Sequence, residues 1–138
     1  MSVMPDAFND LLALAHSARA MAYAPYSRFL VGAVVQTRDG RQFSGCNVEN
    51  ASYGLCNCAE RTALFSAMAA GCRPGDFAAL AVIADTPEPV SPCGACRQVM
   101  AELCDGDMPV LLANLDGSTQ QTSVAALLPG SFKLPPPA

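Results

Sequence analysis

Two short cysteine segments, Cys58-Ala59-Glu60 and Pro92-Cys93-Gly94-Ala95-Cys96-Arg97-Gln98, restrict the folds open to this chain. Each follows a loop and opens a run of helix formers, so each is predicted at a helix N-terminus. The free N–H groups and the positive end of the macrodipole there favour thiolate over thiol. Cys93 and Cys96 are three residues apart, so one helical turn can offer both sulfurs to one ion. Cys58 supplies a third sulfur only if the fold brings the two helix starts together.

Three protein ligands leave the fourth tetrahedral position open, which is the arrangement of catalytic rather than structural zinc. One zinc ion per chain is therefore expected. Glu60 lies two residues after a ligand, where its carboxylate can reach water at that open position and act as a general base, then as a general acid. The competing reading is three inert buried thiols and a first-turn glutamate placed there by the helix dipole. Two helix starts and a carboxylate between ligands argue against it. Cys56-Asn57-Cys58 offers two candidate ligands, of which Cys56 precedes the helix. Cys46, Cys72 and Cys104 have no partner at metal spacing and read as packing residues.

Hydrophobic periodicity orders the rest of the chain. Pro5 to Tyr23 reads as a helix with Phe8, Leu11, Leu12, Ala15, Ala18 and Met21 or Ala22 on one face. Phe29 to Thr37 and Arg41 to Val48 are strand-like and flank Asp39-Gly40, a hairpin signal. Cys58 to Ala70 is predicted helical and stops at Gly71. Phe77 to Ala84 fits a buried strand, Cys93 to Cys104 a second short helix, and Val110 to Asn114 another buried strand. Ser118 to Thr122 is a candidate edge strand, and Ser123 caps a last helical turn. The order α-β-β-α-β-α-β-β-α, with continuous apolar runs in the later strands, indicates a layered α/β domain with a mixed sheet.

With 138 residues, 51% of them hydrophobic, the chain is expected to form one domain over residues 1–138. The proline-rich end from Lys133 onward is expected to fray. The net charge of −4 and the lack of a Lys/Arg cluster argue against nucleic acid or an anionic membrane as partner. No secretory signal and no apolar run long enough to cross a bilayer are visible. Seven cysteines, an odd number, point to a reducing cytoplasmic setting. His16, the single histidine, sits on the first helix far from every motif and reads as a surface residue.

The ligand-x-Glu segment followed by Pro-Cys-x-x-Cys resembles the zinc deaminases of nucleobases. From about Ala24 to Phe132 the chain is similar to the small, three-cysteine cytidine deaminases. The likeness also rests on Ala24-Pro25-Tyr26-Ser27, Phe29-Leu30-Val31-Gly32-Ala33, Gly45-Cys46-Asn47-Val48-Glu49-Asn50-Ala51-Ser52-Tyr53 and Leu127-Leu128-Pro129-Gly130. The resemblance implies a three-layer α/β/α fold with a mixed sheet of about five strands. It also implies zinc-dependent hydrolysis of free cytidine and deoxycytidine to uridine and deoxyuridine, as in pyrimidine salvage. Glu60 would move the protons, and the family pattern passes over Cys56.

The same resemblance gives the substrate contacts. Asn47 and Glu49, alternate residues on one predicted strand and so on one face, would bind the ribose 3′-hydroxyl. Phe29 would pack near the ligand, with Ala59 and Tyr53 also lining its site. Phe132 would reach a neighbouring subunit's site in a homotetramer. Arg61 would tune the metal. Three thiolates on Zn²⁺ leave a charge of −1, and a cation in the first helical turn, against the macrodipole, wants a local reason. An ordinary solvated arginine is the competing reading. Two rival functions stay open: a deaminase acting on another small heterocycle, and a structural zinc module binding nucleic acid, which would ordinarily bring a fourth ligand and basic residues.

Overall fold

Continuous apolar runs along the middle strands produce a sheet that is covered on both faces. The computed structural model describes residues 5–135. It comprises α1 (Pro5–Arg19), β1 (Val31–Thr37), β2 (Gln42–Cys46), a 3₁₀ turn (Tyr53–Leu55), α2 (Ala59–Ala69), β3 (Phe77–Ala84), α3 (Gly94–Leu103), β4 (Pro109–Asn114), β5 (Thr119–Ser123) and α4 (Val124–Leu127). The five strands lie in the order β2-β1-β3-β4-β5, parallel only between β3 and β4. This is the mixed five-stranded sheet expected.

Period-two alternation assigns each strand residue to a face. Ala33 and Val35 of β1, Leu80 and Val82 of β3, and Val110 and Leu112 of β4 join Ala63, Leu64, Met100 and Val124 in one core beneath α2, α3 and α4. Val34, Ala79, Ala81, Ile83 and Leu111 form the other with Leu11 and Ala15 of α1. Three layers result, α1 on one side of the sheet and the remaining helices on the other.

The helix ends follow their local chemistry. Gly40 (φ 91°) closes the β1–β2 hairpin, and Gly71 (φ 104°) ends α2, both in the left-handed region where glycine is favoured. The first helix stops at Arg19, short of the expected Tyr23, because Tyr23 is drawn into a bridge with Val48. Its N–H donates to the Asn47 carbonyl at 3.0 Å and its own carbonyl accepts from Glu49 N–H at 2.8 Å. Met21, expected on the apolar face, is consequently 76% exposed.

The expected strands starting at Phe29 and ending at Val48 are also shorter, beginning at Val31 and ending at Cys46. Lys133–Pro135 are exposed and without regular structure. The expected frayed tail beyond them, residues 136–138, and the first residues of the expected leader-free terminus, Met1–Met4, lie outside the described residues.

Two glycines set the distance between layers. A Cβ on Gly32 would lie 1.9 Å from the Ala15 carbonyl oxygen, and one on Gly45 would lie 2.4 Å from Ala63 N and 2.5 Å from the Ala59 carbonyl. Both obstacles are helix backbone, so relief requires moving a whole helix. Overpacking of this kind costs about 1–3 kcal/mol or more. Gly45→Ala is therefore expected to lower the thermal midpoint by at least about 4 °C. It should also lower zinc affinity, because α2 carries Cys58 at its start. Gly32→Ala should lower the midpoint without that loss. Scanning calorimetry and chelator competition on both variants check the pair, and equal zinc affinities would refute the link to α2.

Candidate active site

Strand direction explains why two separated cysteine segments meet. β2 and β3 are each antiparallel to β1, so they run the same way, and β4 is parallel to β3. α2 carries the chain from β2 across to β3, and α3 carries it from β3 to β4. Two right-handed crossovers moving in the same direction lie on one face of the sheet. Both must start from the same sheet edge, the one where β2 and β3 end. The N-termini of α2 and α3 thus become neighbours by topology.

Cys58 and Cys93 are the N-cap residues of these helices. Their sulfurs are 3.7 Å apart, and the Cys96 sulfur completes a cluster with all three within 4.8 Å of one another. A tetrahedral ion with Zn–S bonds of about 2.3 Å spaces two sulfurs about 3.8 Å apart. A disulfide would need about 2.05 Å. The donor set therefore fits zinc, with Cys58, Cys93 and Cys96 as its ligands.

Hydrogen bonds point the same way. Cys93 Sγ accepts from Cys96 N–H at 3.4 Å and so caps the helix. Arg61 Nη2 lies 3.5 Å from Cys58 Sγ. The hydrogen bond from the Cys96 thiol, helped by Arg61, pulls Cys58 down to about 5. Cys96 moves the opposite way, because it shares its proton with Cys58 and is buried. The bond to Cys58 in turn raises the basicity of Arg61. A coordinated cation would deprotonate all three thiols.

Beside the sulfurs is a cavity of about 160 Å³ lined by residues that include Phe29, Asn47, Cys58, Ala59, Glu60 and Cys93. Glu60 is 4% exposed, and burial, reinforced by the Cys58 charge, pushes its carboxyl up to about 7. A carboxyl poised there exchanges protons in both directions at neutral pH. Ala59 is buried and presents only a methyl group.

A second cavity, of about 290 Å³, is lined by Tyr26, Ser27, Glu49, Tyr53 and Cys56. Asn47 and Glu49 do not share a strand, as β2 ends at Cys46 and only Val48 is paired beyond it. The extended backbone nevertheless turns both side chains onto the same segment. Asn47 Nδ2 donates to the Phe29 carbonyl at 2.7 Å and its Oδ1 accepts from Val31 N–H at 2.9 Å. Glu49 accepts from the N–H groups of Tyr26 and Ser27 at 3.0 and 3.1 Å. Tyr53 meets Tyr26 edge-on, ring centres 6.3 Å apart. Phe132 is 67% exposed and lines neither cavity. His16 is exposed on α1, and Cys72 and Cys104 are core residues.

Several residues that build the site were not singled out from the sequence. Val31, Val90 and Ser91 line the first cavity. Arg97 donates to the Pro92 carbonyl at 2.8 Å, to Ser91 Oγ at 2.7 Å and to the Leu127 carbonyl at 2.8 Å, fixing the approach to Cys93. Buried Asn114 donates to the Thr86 and Pro87 carbonyls at 3.0 and 3.1 Å and so anchors the loop that leads there. The only sequence signal for these was position: Val90, Ser91 and Arg97 flank the cysteine motif, whereas Asn114 ends an apolar strand where a buried amide needs partners.

Comparison with known proteins bears on this geometry. Residues 7–112 match the family described as the cytidine and deoxycytidylate deaminase zinc-binding region. The chain is 57% identical to a cytidine deaminase of Sporosarcina psychrophila over 124 residues, 90% of either chain. It is 59% identical to one of Halalkalibacterium halodurans over 122 residues, 88% of this chain and 91% of that one. The crystal structure of a cytidine deaminase from Burkholderia pseudomallei superposes with a TM-score of 0.89 at 60% identity, covering 90% of this chain and 98% of that one. The three-cysteine cluster at paired helix starts, the buried glutamate beside it and these likenesses agree: the chain belongs to the cytidine and deoxycytidylate deaminase zinc-binding family.

Proposed function

We propose that this chain, as one domain, hydrolyses the C4 amine of free cytidine and deoxycytidine, releasing ammonia and the corresponding uridine. The observation that carries the reading is Glu60, a buried carboxyl with its proton affinity raised to neutrality in a cavity shared with Cys58 and Cys93. Zinc held by Cys58, Cys93 and Cys96 would supply Lewis-acid chemistry that activates water near neutral pH. Glu60 takes a proton from the attacking water, delivers it to the ring nitrogen next to C4, and later helps protonate the departing amine. Phe29 and Ala59 supply apolar walls that exclude solvent water, while Asn47 holds the Phe29 wall in place.

The carboxylate of Glu49, held below its ordinary range by the Ser27 hydroxyl and the neighbouring N–H groups, lies where it can accept from a sugar hydroxyl. It would repel a 3′-phosphate, so an internal position of a nucleic-acid strand is excluded. The net charge of −4 supports the same restriction. Cytoplasmic pyrimidine salvage suits a chain with this cysteine content. Among the described residues no helix is long and apolar enough to cross a membrane. A homotetramer with shared sites would account for Tyr53, Leu55 and Phe132 being 76, 70 and 67% exposed, with Phe132 reaching a neighbouring subunit's cavity.

Ultraviolet monitoring of cytidine and deoxycytidine with purified protein tests the reaction, and turnover abolished by a zinc chelator is expected. Efficient action on an oligonucleotide, or on CMP over cytidine, would refute the substrate assignment. X-ray absorption should find three sulfurs and one lighter ligand per zinc. Four sulfurs would place the metal in the structural class.

Glu60→Gln should keep zinc but reduce kcat by at least about 10²-fold, because general acid–base steps are worth about 10²–10⁴. A variant retaining a tenth of wild-type kcat would remove Glu60 from that role. Arg61→Ala withdraws a cation from a site of net charge −1, so water there becomes harder to ionise. The acidic limb of the kcat profile should move to higher pH and kcat should fall, with Arg61→Gln intermediate. Superimposable profiles at matched zinc content would show that Arg61 does not tune the metal.

A further inference from the structure

One carboxylate fastens the turn before β1 to the segment after β2. Glu49 accepts the N–H groups of Tyr26 and Ser27 on one oxygen and the Ser27 hydroxyl on the other. The same Ser27 oxygen accepts the Phe29 N–H at 3.0 Å. Between them Arg28 sits at φ 58°, the one non-glycine residue of left-handed conformation among the described residues. The Phe29 carbonyl is then taken by Asn47 at 2.7 Å. The peptide groups on both sides of Phe29 are thus tied to side chains.

The two cavities are lined by residues two positions apart in sequence: Ser27 and Phe29, Glu49 and Asn47, Cys56 and Cys58. Ser27 is the covalent and hydrogen-bonded step between them. A hydroxyl can donate to a carboxylate and accept from an N–H at a single atom, which an alanine at this position cannot. The donated bond is charge-assisted and correspondingly strong. Without it, Arg28 keeps its N–H bond to the Ala24 carbonyl at 2.9 Å but loses the clasp on the residue after it, which weakens the hold on a conformation that L residues avoid. Relaxation of Arg28 would swing Phe29 away from the cavity that holds Glu60.

We propose that Ser27 is a positioning residue for the substrate: its hydroxyl couples the Glu49 carboxylate to the Phe29 main chain, so that the two cavities keep one spacing. The inference rests on the reading of the site as a nucleoside pocket. It adds that the carboxylate facing the sugar also sets the aromatic wall beside the base. Ser27 is exposed, so its removal buries no unpaired group and the fold should tolerate it. Zinc is held by other elements and should be unaffected.

The test is steady-state kinetics on Ser27→Ala and Ser27→Thr, with zinc content and thermal midpoint measured on the same samples. Ser27→Ala should raise KM for cytidine about tenfold, the scale of one charge-assisted hydrogen bond, with kcat within about twofold. Zinc content and midpoint should match wild type, and Ser27→Thr should restore KM. In a Phe29→Leu background the Ser27→Ala change should add less than about twofold, since it acts through Phe29. A wild-type KM in Ser27→Ala, no rescue by threonine, or a full tenfold effect in the Phe29→Leu background would each overturn the role. Wild-type turnover of cytidine, read in the same series, checks the functional reading separately.

Discussion

Two helix N-termini face one another at a single sheet edge, and that juxtaposition governs the rest of the site. Both macrodipoles point their positive ends at the same spot, a repulsive arrangement unless negative charge lies between them. The Cys58 and Cys93 sulfurs meet 3.7 Å apart at the two N-caps, and the Cys58 thiol is pulled down to about 5, so thiolate charge gathers there. Further thiolates at this distance would repel it, and a bound dication would relieve that repulsion. Topology creates the electrostatic problem, and the ligands are its solution. Cys96 costs little more, as its place one turn into α3 follows from placing Cys93 at the cap.

The precision of this meeting depends on layers far from the sulfurs. α2 can start where it does because Gly45 lets the helix backbone approach β2 more closely than any side chain would allow. Thr62 donates to the Cys58 carbonyl at 3.0 Å and receives Asn57 at 3.1 Å, tying the helix start to the strand-like bridge of Asn57 with Val48. On the other side Asn114 and Arg97 hold the three-proline loop Thr86–Pro92 by its carbonyls. A loop of this length would otherwise carry unpaired backbone groups and wander. Each ligand is therefore set by a strand, a side-chain clasp and a helix cap acting together.

Much of this was legible in the sequence because local rules and global fold agree. Helix starts at Cys58 and Cys93, the Asp39-Gly40 hairpin and the Gly71 stop all obey chemistry confined to a few residues. The element order and the continuous apolar runs of the later strands indicated the layered, mixed sheet. Expectation failed where a distant partner overrode the local pattern. The periodicity of α1 continued to Met21, but Val48 and Glu49 captured Tyr23 for a bridge and ended the helix early. Asn47 and Glu49 looked like strand residues, yet their backbone serves that bridge and their side chains serve the Phe29 turn. Nothing local announces that Ser27 and Glu49, 22 residues apart, share a hydrogen bond. Phe132 offers no local signal either, and it lines neither cavity of the site.

Glu60 and Arg61 show how one helical turn separates opposite charges for different tasks. Consecutive residues of a helix project about 100° apart, so neighbours in sequence need not meet. The ion pairs among the described residues are Arg38 with Asp105 and Arg41 with Asp39, both remote from the cysteine cluster. Arg61 instead turns its guanidinium to Cys58 Sγ, and its Nε is left buried without a partner. Had it paired with Glu60, the carboxyl would have been held ionised and well below neutrality, a poor proton carrier at physiological pH. Directed at the sulfurs, the same cation stabilises thiolate and leaves burial to raise Glu60 to about 7. The Glu60 carboxyl is thus tuned as much by where its neighbour's charge goes as by its own burial.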